Sequence, residues 1–246
     1  MNLLKWVLIL FLCWDAAYSF YENYHMSIGG DIAQIVIPND SMGYYDVLQD
    51  PFGIGVLCNH RTYSNPNRYF VHWAASVYLL HVPILFQGIV DPLESVYLAI
   101  ALFKTLVQLG IIFLMALLIT RRAKQGQLAF WIAAALITPL FQTWGFNKFM
   151  GIIDQSVIYA FFYALPVLFL LLYIYMFFQF INVERSLQKQ LLVVGLLVIM
   201  SLPLALGGPL IPGVVLISTS LLMVHFSQLV SDRKFNLQDI LGSDRR

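Results

Sequence analysis

The sequence predicts an all-α, polytopic integral membrane protein of about six transmembrane helices, with a long outer loop that contains an interfacial helix. Three observations predict it. The 246 residues are 60% hydrophobic and 11% charged, with mean hydropathy +0.77, whereas a soluble chain is about 45–50% apolar and about 25% charged. Apolar runs of spanning length, about 20 residues each, recur along the chain. The basic residues gather on alternate connections, as they do in loops on the inner side of a membrane. Disorder and a disulfide scaffold are excluded by the same composition. The net charge of +1 carries no basic patch for a phosphate backbone, so no nucleic-acid partner is expected. Cys13 lies in an apolar run and Cys58 in a polar loop, poorly placed to pair.

The first span is expected over 3–20 within a first segment of 1–20. Lys5, the apolar run Trp6 to Trp14 and Ala17-Tyr18-Ser19 also fit an uncleaved or cleaved signal peptide. On either reading, the chain beyond Ser19 is outside. The next segment, 21–91, is the extracytoplasmic loop. It carries Glu22, Asp31, Asp40, Asp46 and Asp50, with turns at Gly29-Gly30-Asp31, Asp50-Pro51-Phe52-Gly53 and Asn65-Pro66-Asn67-Arg68. Gly and Pro preset the backbone at such positions.

Within that loop, 70–90 is apolar but contains His72, His81, Pro83 and Gln87. If it does not cross, Lys5, the Arg121-Arg122-Lys124 cluster, Arg185 with Lys189, and Arg233, Lys234, Arg245 and Arg246 share the inner side. Only Arg61, Arg68 and Lys148 then lie outside. If it crosses, that bias is lost. The expectation is therefore an interfacial or re-entrant helix, with Trp73 and Tyr78 at headgroup depth.

A five-helix bundle is expected over 92–230, with spans at 93–119, 127–145, 156–181, 190–206 and 210–230, and a cytosolic tail over 231–246. Asp91-Pro92-Leu93-Glu94 reads as a capped helix start, with the acid at the cap and Pro in the first turn. Asp154 reads as a similar cap. Pro139, Pro166 and Pro203 are expected to kink their helices, and Gly207-Gly208-Pro209 breaks the chain between the last two spans. The localisation expected is a bacterial inner (plasma) membrane with 21–91 outside and both termini inside.

Site candidates arise where charge meets the membrane. A general base must be a carboxylate or imidazole close to its proton. Asp31 leads, because the glycines before it let the backbone approach a bulky substrate. Asp46 and Asp50 are further carboxylates of the same loop. His60, Arg61, Arg68 and His72 form a quartet suited to anionic headgroups or diphosphates. Lys104 lies inside a span, about 18 Å along the axis from Pro92. An intramembrane charge is functional by default, so Lys104 either pairs with Asp15 or holds a lipid phosphate. Zinc-type ligand spacing is absent, and no cofactor is expected, a divalent metal being the weaker alternative.

An outgoing helix, then Gly29-Gly30-Asp31, the loop Asp46 to Arg68 and the interfacial run Tyr69 to Val90 resemble the N-terminal half of GT-C type polytopic membrane glycosyltransferases, over residues 1–120. The resemblance implies a sugar donor of polyprenyl-phosphate type, with membrane lipid as its medium. It also implies Asp31 as base, and Arg61, Arg68 or Lys104 near the donor phosphate. Two other functions are carried beside it. One is a non-catalytic assembly subunit whose loop binds a partner membrane subunit. The other is a small transporter, for which the Gly207–Pro212 break is the hint.

Overall fold

The computed structural model describes residues 2–29, 31–37, 44–63, 67–121, 127–141, 152–181, 187–208 and 210–217. These are helical or irregular, with no strand among them. They fall into two units, Met1–Gly208 and Pro209–Arg246. In the second, 210–217 is helical. Most of the expected span at 210–230, the tail over 231–246, Asp40 and Lys148 lie outside the described residues.

The first unit opens with α1 (Asn2–His25). Three short helices come next: α2 (Ile32–Val36), α3 (Tyr44–Gln49) and α4 (Ile54–Asn59). Beyond them are α5 (Tyr69–Phe86), α6 (Pro92–Thr120) and α7 (Gln127–Ile137), which tightens into a 3-10 turn at Thr138–Phe141 around Pro139. Then α8 (Val157–Tyr159), a π-helical turn (Ala160–Ala164) and α9 (Leu165–Ile181) run on end to end, and α10 (Leu187–Ala205) closes the unit. Pro166 explains the π turn, since it lacks an N–H and its ring crowds the carbonyl four residues back.

Four helical stretches among the described residues are long and apolar enough to cross a membrane: Leu3–His25, Tyr69–Phe86, Pro92–Thr120 and Val157–Gln179. The apolar helices at Gln127–Phe141 and Leu192–Ala205 are shorter. With Tyr69–Phe86 set aside as the expected interfacial helix, the expected count of about six is reached only by adding these two shorter segments and 210–230.

Burial is inverted relative to a soluble helix. On α1 the buried side chains are Leu12, Asp15, Ser19 and Asn23, while Leu3, Leu10 and Trp14 are among the most exposed. Polar groups in the seam and apolar ones outside are what a lipid solvent selects. The seam faces α6, where Lys104, Thr105 and Gln108 are buried. The Gln108 amide donates to Ser19 Oγ at 2.9 Å, and Asn23 Nδ2 lies 3.5 Å from Thr105 Oγ1. Ascending residues of α1 meet descending residues of α6, so the two helices are antiparallel.

That register defines two ends. At one, Lys5 donates to Gln127 at 2.8 Å and Arg121 donates to the Phe178 carbonyl. At the other, the end of α1 meets Lys104 and Asp154. We call them the Lys5 end and the Asp154 end. Asp91 begins α6 as expected, its carboxylate accepting from the amides of Leu93 and Glu94.

Helix α5 packs antiparallel on the first half of α6. The Tyr78 hydroxyl donates to the Ala99 carbonyl at 2.9 Å. Phe70, at the other end of α5, packs edge-on against Phe169, the neighbour of Leu168, which lies against Gly110. Helix α5 therefore starts beside the middle of α6 and does not extend to the Lys5 end. Its start is tied to the break after α10: Phe70 N–H donates to the Leu206 carbonyl, and Gly208 N–H to the Asn67 carbonyl. Gly208 takes φ +105°, a conformation open to glycine and strained for other residues.

Candidate functional site

The short helix α2 is a bridge across the Asp154 end. On one side Gly29 lies against Ser156, so closely that a Cβ there would sit 2.8 Å from Ser156 Cα. On the other, Ser76 of α5 donates to the Ile35 carbonyl at 2.9 Å. Asp31 heads this bridge. It is exposed and makes no side-chain capping bond.

Beneath one side of the bridge sits Lys104, fully buried. Its ammonium donates to the Asp154 carbonyl at 2.7 Å and lies 3.3 Å from Met26 Sδ. The expected pairing with Asp15 is replaced by these contacts. Asp15 lies ten residues before the end of α1, about 15 Å lower along its axis. The Asp154 carboxylate accepts from Ser156 N–H at 3.0 Å. It orders the turn, while Ser156 itself occupies the helix cap.

One turn before Ser76 on α5 lies His72, which Phe162 brings together with Arg68 at the start of the helix. The His72 ring is 4.8 Å from Phe162 and 5.3 Å from Tyr44. The Arg68 guanidinium sits 5.3 Å over the same Phe162 ring, a cation–π contact. The π turn makes this possible, since Phe161 stacks on Phe103 at 3.8 Å while Phe162 serves His72.

Three buried side chains here have polar atoms without a hydrogen-bond partner among the described residues: both ring nitrogens of His72, Ser156 Oγ and Asn23 Oδ1. Buried polar atoms are normally satisfied, and each exception costs about 1–3 kcal/mol. Two of these groups flank the Asp31 bridge, which makes it the candidate site.

The remaining sequence candidates stand apart. Asp50 accepts from the amides of Ile54 and Gly55 and from the Tyr63 hydroxyl, each at 2.8 Å. Its carboxylate is thus engaged in holding α4. Partial burial pushes the Asp50 carboxyl up. The bonds from Tyr63, Gly55, Ile54 and Val56 outweigh that and hold it below its ordinary value. Burial, the bond to Asp50 and the charges of Asp50 and Asp46 push the Tyr63 hydroxyl up to about 12, against an opposing pull from Arg61. Asp46 is half-buried in the first turn of α3. His60 ends α4 in the left-handed conformation at φ 52°, and Arg61 is exposed beside Gly55.

No group of three or more His, Cys, Asp or Glu converges as a metal site among the described residues. Ser156, Asn23, Ser76 and Phe162 escaped the sequence reading as site residues. The spacing of Asp15, Ser19 and Asn23, four residues apart on one helix face, was the available signal for the buried seam. Comparison with protein-family models, curated proteins and solved structures finds no match.

Proposed function

We propose that the chain is a membrane glycosyltransferase-like protein that transfers a sugar from a polyprenyl-phosphate donor at the Asp154 end, the outer face by the positive-inside rule. One observation carries this reading: Asp31 presents an exposed carboxylate on a bridge seated on Ser156 and Ser76, with His72 one turn and Arg68 two turns away along α5. Such a transfer needs a base at the water boundary and a cation near the phosphate, both beside lipid.

The chemistry is a displacement. Asp31 takes the proton of the acceptor hydroxyl, whose oxygen forms the new bond to the sugar's C1. The bond from C1 to the phosphate oxygen breaks, and polyprenyl phosphate leaves with the electron pair. Arg68 steadies that charge.

The test uses purified full-length protein with polyprenyl-phosphate sugars. Asp31→Asn binds donor normally and loses transfer by about 10²–10⁴-fold, the usual worth of a general base. Arg68→Ala weakens donor binding. Wild-type protein that binds no donor, or two fully active variants, overturns the reading.

A partner-binding membrane subunit is the second reading. The tip of the α5–α6 hairpin favours it, because Leu85 and Ile89 there are 75% and 82% exposed. A bare apolar tip suits burial against another membrane protein.

A further inference from the structure

We propose that the Lys5 end holds a binding site for the headgroup of an anionic phospholipid. The site is a cavity of about 610 Å³, within the range of natural small-ligand sites. Helices α1, α6, α7 and α9 each contribute to its lining.

Among the described residues, two cations face it, Lys5 and Arg121, and no carboxylate does. Both are held in place by neutral partners. The Lys5 ammonium spends one N–H on Gln127 Oε1. With three donors it retains two for a ligand. Arg121 donates through Nη2 to the Phe178 carbonyl at 2.6 Å, and its guanidinium lies 4.8 Å from the Phe178 ring. Further N–H groups of its five-donor fork remain for phosphate oxygens. Because Gln127 Oε1 accepts from Lys5, the Gln127 amide group is left as a donor. Cations fixed in this way lose little side-chain entropy when an anion arrives.

The other walls fit a lipid rather than a free ion. Trp131 and Tyr175 line the cavity, and aromatic side chains of this kind sit at headgroup depth. Arg122 and Lys124 come within three residues of Arg121 in the sequence. A basic pocket between helix ends is the chemistry that selects phosphatidylglycerol-like over zwitterionic headgroups. This inference is independent of the transferase reading.

Native mass spectrometry of the full chain tests it, with phosphatidylglycerol or phosphatidylcholine added to protein in neutral detergent. The expected result is a phosphatidylglycerol preference that falls about five-fold for each of Lys5→Gln and Arg121→Gln. Lys5→Arg retains it. Should a Gln variant fail to fold, salt titration of the wild-type preference takes its place, since a charge-held headgroup is lost as salt rises. Inorganic phosphate is the competitor that separates the sources. Millimolar phosphate leaves the lipid adduct in place if the lipid is the ligand, and displacement by phosphate overturns the lipid assignment. Equal retention of both lipids, or a preference unchanged by the substitutions and by salt, overturns the site.

Discussion

Gln108 of α6 donates its side-chain amide to the hydroxyl of Ser19 on α1, across 2.9 Å and out of contact with solvent. The pair lies inside the bundle while α1 turns Leu3, Trp6, Leu10 and Trp14 outward. Contact between these two helices is therefore secured by directional bonds, because lipid offers apolar side chains as good a home as the protein does. Ser19→Ala should destabilise the protein by about 0.5–2 kcal/mol. Ser19→Ala with Gln108→Leu should recover most of that loss, since no orphaned donor remains. Unfolding in mixed detergent measures both, and a double variant less stable than Ser19→Ala would refute the account.

Lys104 ties the end of α1 to the segment before α8. Lys104→Met keeps the volume but leaves the Asp154 carbonyl without this donor, a cost of about 1–3 kcal/mol. Faster amide exchange at Ile35 and Ile37 should accompany it, because α2 rests on that segment. Unchanged exchange there would separate Lys104 from the bridge.

Gly29→Ala forces a Cβ to within 2.8 Å of Ser156 Cα. Backbone cannot swing aside as a side-chain tip does, so the bridge must lift, at about 1–3 kcal/mol. Ser156→Gly leaves that Cα in place and should rescue little. Limited proteolysis over 27–37 reads the lifting directly.

The loop around α4 carries a pH window. The Asp50 carboxyl is held below its ordinary 3.8. Its contribution to loop order is present above that value and fades as pH falls through the depressed one. The Tyr63 hydroxyl is raised from 10.0 to about 12. Its contribution is complete below 10 and fades as pH rises through 12. Exchange of the Ile54 and Gly55 amides, measured across pH, should stay slow between these limits. Tyr63→Phe should move the acid limb upward, and an unmoved acid limb would remove Tyr63 from the account.

Sidedness is open to a labelling test. With Cys13 replaced, exposed Cys58 should react with a membrane-impermeant maleimide from outside intact cells. A cysteine at Gln127 in a Cys58-free background should react only after permeabilisation. The reverse pattern would invert the assignment of the two ends.

The local features were readable and the long-range ones were not. The apolar runs announced α6, the α8–α9 stretch and α5. Asp91 was legible because its cap is complete within three residues. By contrast, α1 runs on to His25, although Glu22, Asn23 and His25 look like loop. The helix continues because Asn23 is buried against Thr105, 82 positions away. The acceptor for Lys104 lies 50 residues away, and it is a main-chain carbonyl, which every residue owns and no sequence marks. Asp50 was legible as a turn residue, but not that Tyr63 returns to bind it. Arg68 and His72 read as neighbouring cations, while the ring between them is supplied by a distant helix.

The π turn at Ala160–Ala164 has a consequence for how this protein tolerates change. It gives the helix a one-residue surplus, so that Phe161 and Phe162 both point into protein. Removing a single alanine there would let the turn tighten to an ordinary α-helix, which absorbs the lost residue and leaves the helix on either side near its old orientation. Phe161 and Phe162 would then be spread further apart around the axis, and Phe103 on one side and His72 with Arg68 on the other would no longer both be reached. What is stored at that turn is a count rather than a chemistry, and only an insertion or a deletion can rewrite it.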